Sequence, residues 1–146
     1  MHVHDALRAR GSTRAFLPTP VDARTVRRIL DVARYAPSGS NIQPWRVHVV
    51  AGTARDALCA AVLSAAAGVG RNAFLWPYNY YPVQWREPYL ARRRACGWGL
   101  YGMLGIERGD RAAIAAQELR NYELFGAPVG LVFFIDGDLE IGSWLD

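Results

Sequence analysis

The stretch Ala33-Arg34-Tyr35-Ala36-Pro37-Ser38-Gly39-Ser40-Asn41-Ile42-Gln43-Pro44-Trp45 joins a helical pattern to an apolar strand, and its residue choices are the least ordinary in the chain. The helical pattern runs to Ala36, Pro37 forbids its continuation, and Pro44-Trp45 delivers the chain into the strand. Between the prolines, Ser38, Ser40, Asn41 and Gln43 crowd hydroxyl and amide groups that donate or accept, with no charge among them. Such a loop suits a neutral polar heterocycle. It also suits a helix-to-strand connection whose polar residues satisfy their own turn.

Upstream, Asp22 is a good cap for a helix in which Val26, Ile29, Leu30 and Ala33 fall on one face to be buried, with Arg24, Arg27, Arg28, Asp31 and Arg34 on the wet side. Before it, residues Asp5 to Ala9 read as a short helix. Arg10-Gly11-Ser12-Thr13-Arg14 then sets two arginines four apart around a hydroxyl pair, and Pro18 and Pro20 hold the chain extended. If Arg10 and Arg14 point the same way they make a fork for a phosphate, with Ser12 as a neutral donor; the alternative is a solvated turn.

Downstream, the β-branched run from Arg46 to Ala51 reads as a strand ended by Gly52. Thr53 is the expected cap of a helix with the stripe Leu58, Ala61, Val62, Ala65 and Ala66, closed by Gly68 and Gly70. Between Phe74 and Trp85 lie Trp76, Tyr78, Tyr80 and Tyr81, interrupted by Pro77 and Pro82, which argues for a loop or lid. Its rings either pack over the core or wall an aromatic substrate pocket. Glu87-Pro88 opens a helix that runs to about Leu104, with Tyr89, Arg93, Cys96 and Leu100 on one face, Arg92 and Arg94 exposed, and Gly97, Gly99 and Gly102 available for close packing. Asp110 opens a third long helix ending near Phe125-Gly126, and Pro128 starts an apolar strand from Val129 to Ile135.

The 146 residues fit one domain, residues 1–146. Two such apolar strands cannot bury one another alone, and Ile141 to Leu145 is an apolar approach with nothing after it. The expectation is therefore a polypeptide that continues, of which this chain is the N-terminal two-thirds. No apolar run approaches a membrane span and no leader pattern opens the chain, so a cytoplasmic location is the default and no membrane partner is expected.

All 17 basic residues are arginine, which excludes chemistry that needs a P-loop or Schiff-base lysine. The net charge of +4 permits an anionic partner, yet the arginines are dispersed apart from Arg92-Arg93-Arg94. That favours anionic small molecules over a nucleic-acid groove. Cys59 and Cys96 lack the spacing of a metal or redox pair and read as reduced core residues. His48 reads as structural, and His2 and His4 lack companion ligands, so no metal is expected.

With both polar clusters identified, the sequence resembles the nitroreductase family of FMN-dependent oxidoreductases. The resemblance rests on Arg10-Gly11-Ser12-Thr13-Arg14 with Phe16, then the amphipathic helix, then Ala36 to Trp45, in the family's order and spacing; Phe125-Gly126-Ala127-Pro128-Val129 adds to it. It implies an α+β fold with a central mixed sheet flanked by helices, here an incomplete copy, and a homodimer sharing two FMN sites. It also implies FMN contacts for Arg10, Ser12 and Arg14 at the phosphate and ribityl chain, and for Pro37, Ser38, Gly39 and Asn41 at the flavin bound mainly by the other subunit. Gly11 departs from the basic or histidine side chain often found there, so one phosphate contact is either lost or replaced by the backbone amide. The implied activity is ping-pong hydride transfer from NAD(P)H through FMN to an electron-poor acceptor such as a nitroaromatic or quinone, with no catalytic acid among the residues of either motif. Dehalogenation, enone reduction and dehydrogenation remain open within the family, and a non-catalytic or nucleic-acid-binding basic domain outside it. The comparison also implies that this chain alone binds FMN weakly or not at all.

Overall fold

Asp22 does what a cap should. In the computed structural model, which describes residues 2–69 and 79–145, its Oδ1 accepts from the Thr25 backbone N–H at 2.8 Å and its Oδ2 from the Thr25 hydroxyl at 2.8 Å. The helix that follows is α2 (Ala23–Ala33), preceded by α1 (Val3–Ala9). Strand β1 (Arg46–Ala51) leads directly into α3 (Gly52–Val69); then come α4 (Tyr89–Met103), α5 (Arg111–Leu119), β2 (Val129–Phe134) and the short α6 (Glu140–Trp144). The chain divides into two units, one of Met1–Cys59 with Leu124–Asp146 and one of Ala60–Glu123.

In the first unit β1 and β2 pair antiparallel, with Val47 opposite Phe133, Val49 opposite Leu131 and Val50 opposite Gly130. Alternation sorts the side chains by face. Val47, Val49, Ala51, Val129, Leu131 and Phe133 share one face, entirely apolar, and Phe133 is 53% exposed on it. The other face carries Arg46, His48, Val50, Gly130, Val132 and Phe134. There His48 packs edge-on against Phe134 with ring centroids 5.0 Å apart, the structural use expected of it. Arg46 pairs with Asp136 at 2.7 Å beyond the strand ends. The sheet among the described residues is this antiparallel pair, part of the mixed sheet expected.

The structure corrects several details. The α2 face was expected to be buried, but among the described residues Val26 is buried and Leu30 half-buried, while Ile29 is 53% exposed because no described element packs on its side of the helix. Thr53 is inside α3 rather than its cap: Gly52 adopts φ +52, a left-handed turn that glycine makes without strain, and the helix starts at once. The helix after Asp110 is shorter than expected. Asp110 Oδ1 does accept from the Ala113 N–H at 2.9 Å, but α5 stops at Leu119, and Leu124–Gly126 forms a separate turn with Leu124 and Phe125 at positive φ.

In the second unit the start and stop of α4 fall where expected, with Glu87 Oε2 accepting from the Ala91 N–H at 3.2 Å and Gly105 at φ +69 just past the end. Among the described residues, close packing through Gly97, Gly99 and Gly102 is not found, since a Cβ on any of them would meet none of these residues within 4 Å. Cys96 is exposed, not core, because no described residue packs over the α4 face that carries it, whereas Cys59 is buried as expected. The aromatic stretch is irregular from 79 to 88, as a loop should be; Phe74, Trp76, Pro77 and Tyr78 lie outside the described residues. Among the described residues no helix is long and apolar enough to cross a membrane.

Candidate functional site

The chain from Arg10 to Asp22 has no regular structure, and all of it is exposed. Pro18 and Pro20 explain the extended path, and α1 ends at Ala9 with the Arg10 N–H closing its last turn onto the Ala6 carbonyl at 3.1 Å. The Arg14 guanidinium donates to the Ser12 carbonyl at 3.4 Å, which folds it back along its own segment. The side chains of Arg10 and Ser12 have no partner among the described residues, and neither Arg10 nor Arg14 meets a carboxylate there. The donor set is two uncompensated cations and a hydroxyl within five residues, with the backbone amide of Gly11 between them. That set fits a phosphate dianion, which wants charge and several N–H or O–H donors.

The loop from Pro37 to Pro44 is organised by its own side chains. Ser38 Oγ accepts from the Gln43 N–H at 2.9 Å, the Asn41 N–H donates to the Ser38 carbonyl at 2.9 Å, and Gln43 Nε2 donates to Asn41 Oδ1 at 3.0 Å. Ser40, Asn41 and Gln43 all hold positive φ, at 51°, 56° and 49°. Left-handed backbone at three non-glycine residues in so short a span costs free energy, and these hydrogen bonds offset part of it. The loop is thus both things the sequence allowed. Its turn is self-satisfied, yet the Ser38 hydroxyl hydrogen and the Asn41 Nδ2 amide remain able to donate outward. Ser38 is half-buried, while Pro37, Gly39 and Asn41 are exposed.

The aromatic pocket that the sequence offered as one use of the segment ending at Trp85 has a counterpart in the second unit, with Arg86 and Tyr89 as members the sequence did not assign to it. Pro82, Gln84, Trp85, Arg86 and Tyr89 line a cavity of about 280 Å³. The Arg86 guanidinium stands 5.1 Å from the Tyr89 ring centroid, Arg92 stands 5.9 Å from the same ring, and Arg93 stands 5.0 Å from Trp85 and 5.8 Å from Tyr81. Tyr81 in turn packs on Trp85, centroids 5.7 Å apart. The signal was present as spacing: Arg86 lies three residues before Tyr89, and Arg92 and Arg93 lie three and four residues after it, at the start of α4.

A family model described as the nitroreductase family matches residues 7–144. Among curated relatives, a 4-nitrobenzoate reductase of Pseudomonas putida is 40% identical over 139 residues, 94% of this chain and 59% of its own length. A nitrobenzene nitroreductase of Ectopseudomonas oleovorans is 38% identical, with 98% of this chain and 63% of its own length aligned. Among solved structures, the FMN- and NADPH-dependent nitroreductase NfnB from sphigopyxis sp. strain HMH superposes with a TM-score of 0.87 at 38% identity, over 99% of this chain and 65% of that one. The chain therefore spans less than two thirds of the length of each of these proteins.

Proposed function

Because the chain belongs to the nitroreductase family, we propose that the protein carrying it is an FMN-dependent oxidoreductase that takes hydride from NAD(P)H and passes electrons to an electron-poor acceptor such as a nitroaromatic or a quinone. Residues 1–146 are read as part of one nitroreductase domain. The observation that carries the reading is the pair of guanidinium groups at Arg10 and Arg14, with no carboxylate paired to either among the described residues, in the same unit as a pre-shaped loop of uncharged donors. An exposed cation pair without counter-charge is what a phosphate requires, and a rigid neutral loop is what a flavin ring edge requires.

The redox chemistry is the flavin's when it is bound, which is why neither motif needs a nucleophile or a titrating acid. The residues have binding and orienting work. Arg10 and Arg14 would hold the phosphate, with Ser12 and the Gly11 amide as neutral donors beside them. Pro37, Ser38, Gly39 and Asn41 would meet the ring of the cofactor held by a second copy, with Ser38 Oγ–H and Asn41 Nδ2–H as outward donors. A homodimer is supported by the amount of apolar surface the described residues leave uncovered, including the Val49, Leu131, Phe133 face of the sheet and Ile29 of α2.

The test is the visible spectrum of the purified protein carrying this chain. Bound flavin is expected, and anaerobic NAD(P)H should bleach it. Replacing Arg10 and Arg14 together by glutamine should weaken FMN retention by about tenfold or more for each charge-assisted contact removed, while Arg92→Gln with Arg94→Gln should leave it unchanged. The opposite pattern would show that the phosphate is held elsewhere.

A further inference from the structure

Resting on that reading of the protein as a reductase of electron-poor acceptors, we propose that the cleft at the start of α4 selects acceptors that are single-ring aromatic anions, arylcarboxylates above all, with Arg86 as the residue that reads the carboxylate. Three properties of the cleft lead there. Its walls are the rings of Trp85 and Tyr89 with Pro82, flat and apolar surfaces on which an aromatic ring stacks. Its volume of about 280 Å³ lies at the small end of ligand sites, room for one substituted ring. Its charge is one-sided: Arg86, Arg92 and Arg93 all lie against these rings and none meets a carboxylate among the described residues. The adjacent acid, Glu87, has one oxygen engaged with the Ala91 N–H of α4.

A guanidinium held over an aromatic face keeps its in-plane N–H groups free, and two parallel N–H donors match the two oxygens of a carboxylate. Arg86 both lines the cavity and sits against the Tyr89 ring, so it is held where such a pair would form. Arg93 acts differently. It does not line the cavity, but it sits on Trp85 and Tyr81 and so positions the aromatic wall. Gln84 adds a neutral donor for the same anion or for a polar ring substituent.

The experiment compares 4-nitrobenzoate with nitrobenzene, two acceptors of similar shape that differ in charge, on the holoprotein carrying this chain. Arg86→Gln should raise KM for 4-nitrobenzoate about tenfold, the loss expected for one charge-assisted pair, and change nitrobenzene less than twofold. Arg86→Lys should recover part of the loss through its charge. Arg108→Gln is the control: it removes the same charge from the same unit, at a guanidinium 4.9 Å from Trp98 and outside the cleft, and should change neither acceptor. Equilibrium dialysis of 4-nitrobenzoate without reductant gives a readout independent of turnover and should show the same tenfold weakening. Equal losses for both acceptors, an equal effect of Arg108→Gln, or a rise confined to KM for NADPH would overturn the assignment, the last by showing that the cleft reads a nucleotide phosphate. If neither acceptor is reduced while dialysis still shows the Arg86-dependent binding, the reductase reading fails and the cleft stands. If both are reduced but Arg86→Gln changes nothing, the cleft fails and the reductase reading stands.

Discussion

Gly130→Ala is a demanding probe of the first unit, because the site that a Cβ would occupy is already filled. A Cβ built at Gly130 would lie 2.6 Å from Leu124 Cδ1 and 3.0 Å from Val50 Cγ2, on the opposite strand. Carbon atoms pack at about 3.5 to 4.0 Å, so Leu124 would have to retreat by about 1 Å. Leu124 is half-buried, so it yields by turning its side chain away from the sheet and giving up the packing it makes there. Overpacking of this kind costs about 1 to 3 kcal/mol, against which the stiffer unfolded chain of alanine returns about 0.4 to 1 kcal/mol. The net expectation is a destabilisation of about 1 to 2 kcal/mol, read as a lower urea midpoint at unchanged slope in far-ultraviolet circular dichroism. The cause is checked by the double mutant. In a Leu124→Ala background the same Gly130→Ala change should cost clearly less, with only the 3.0 Å approach to Val50 left, giving a coupling of about 1 kcal/mol. A Gly130→Ala protein as stable as the parent, or one whose loss is the same with and without the Leu124 side chain, would refute the claim that Leu124 occupies the space above this glycine.

Two further outcomes follow from the caps and the thiols. Hydrogen bonds from the Thr25 hydroxyl and backbone hold the Asp22 carboxyl below its ordinary value, so its contribution to α2 is present above the unfolded carboxylate pKa and is lost as pH falls through the lower folded one. The stability advantage over Asp22→Asn should therefore shrink on acidification from about pH 7 to about pH 3; an advantage that grows in acid would contradict this sign. A thiol reagent should label Cys96 rapidly and Cys59, which is 6% exposed, only on unfolding. Two fast thiols in the folded protein would place Cys59 at the surface.

Much of the local structure was legible in the residues because it depends on neighbours in the chain. Asp22 and Asp110 cap the helices that follow them, Pro37 and Pro44 bound the loop, the strand from Arg46 to Ala51 has the limits its β-branched run predicted, and Gly105 stops α4. Each follows from a steric or hydrogen-bonding rule that acts over a few residues. The paired clusters Arg10 to Arg14 and Pro37 to Asn41 were legible for another reason. Their composition is unusual for turns, and their order and spacing match one family, to which the chain belongs.

What the residues could not announce is which surfaces meet. An apolar stripe states that a side chain prefers cover, and only the three-dimensional arrangement decides whether it finds any. Among the described residues Val26 and Cys59 do, while Ile29, Phe133 and Cys96 do not. The antiparallel register that sets Val50 against Gly130, the left-handed backbone at Ser40, Asn41 and Gln43, and the gathering of Arg86 and Arg93 on the rings of Tyr89 and Trp85 are likewise decided in space. Local rules set where an element starts and stops. Contacts between residues distant in sequence, or crowded onto one turn, are fixed only when the whole chain has a shape, because their free energy depends on distances that sequence separation does not specify.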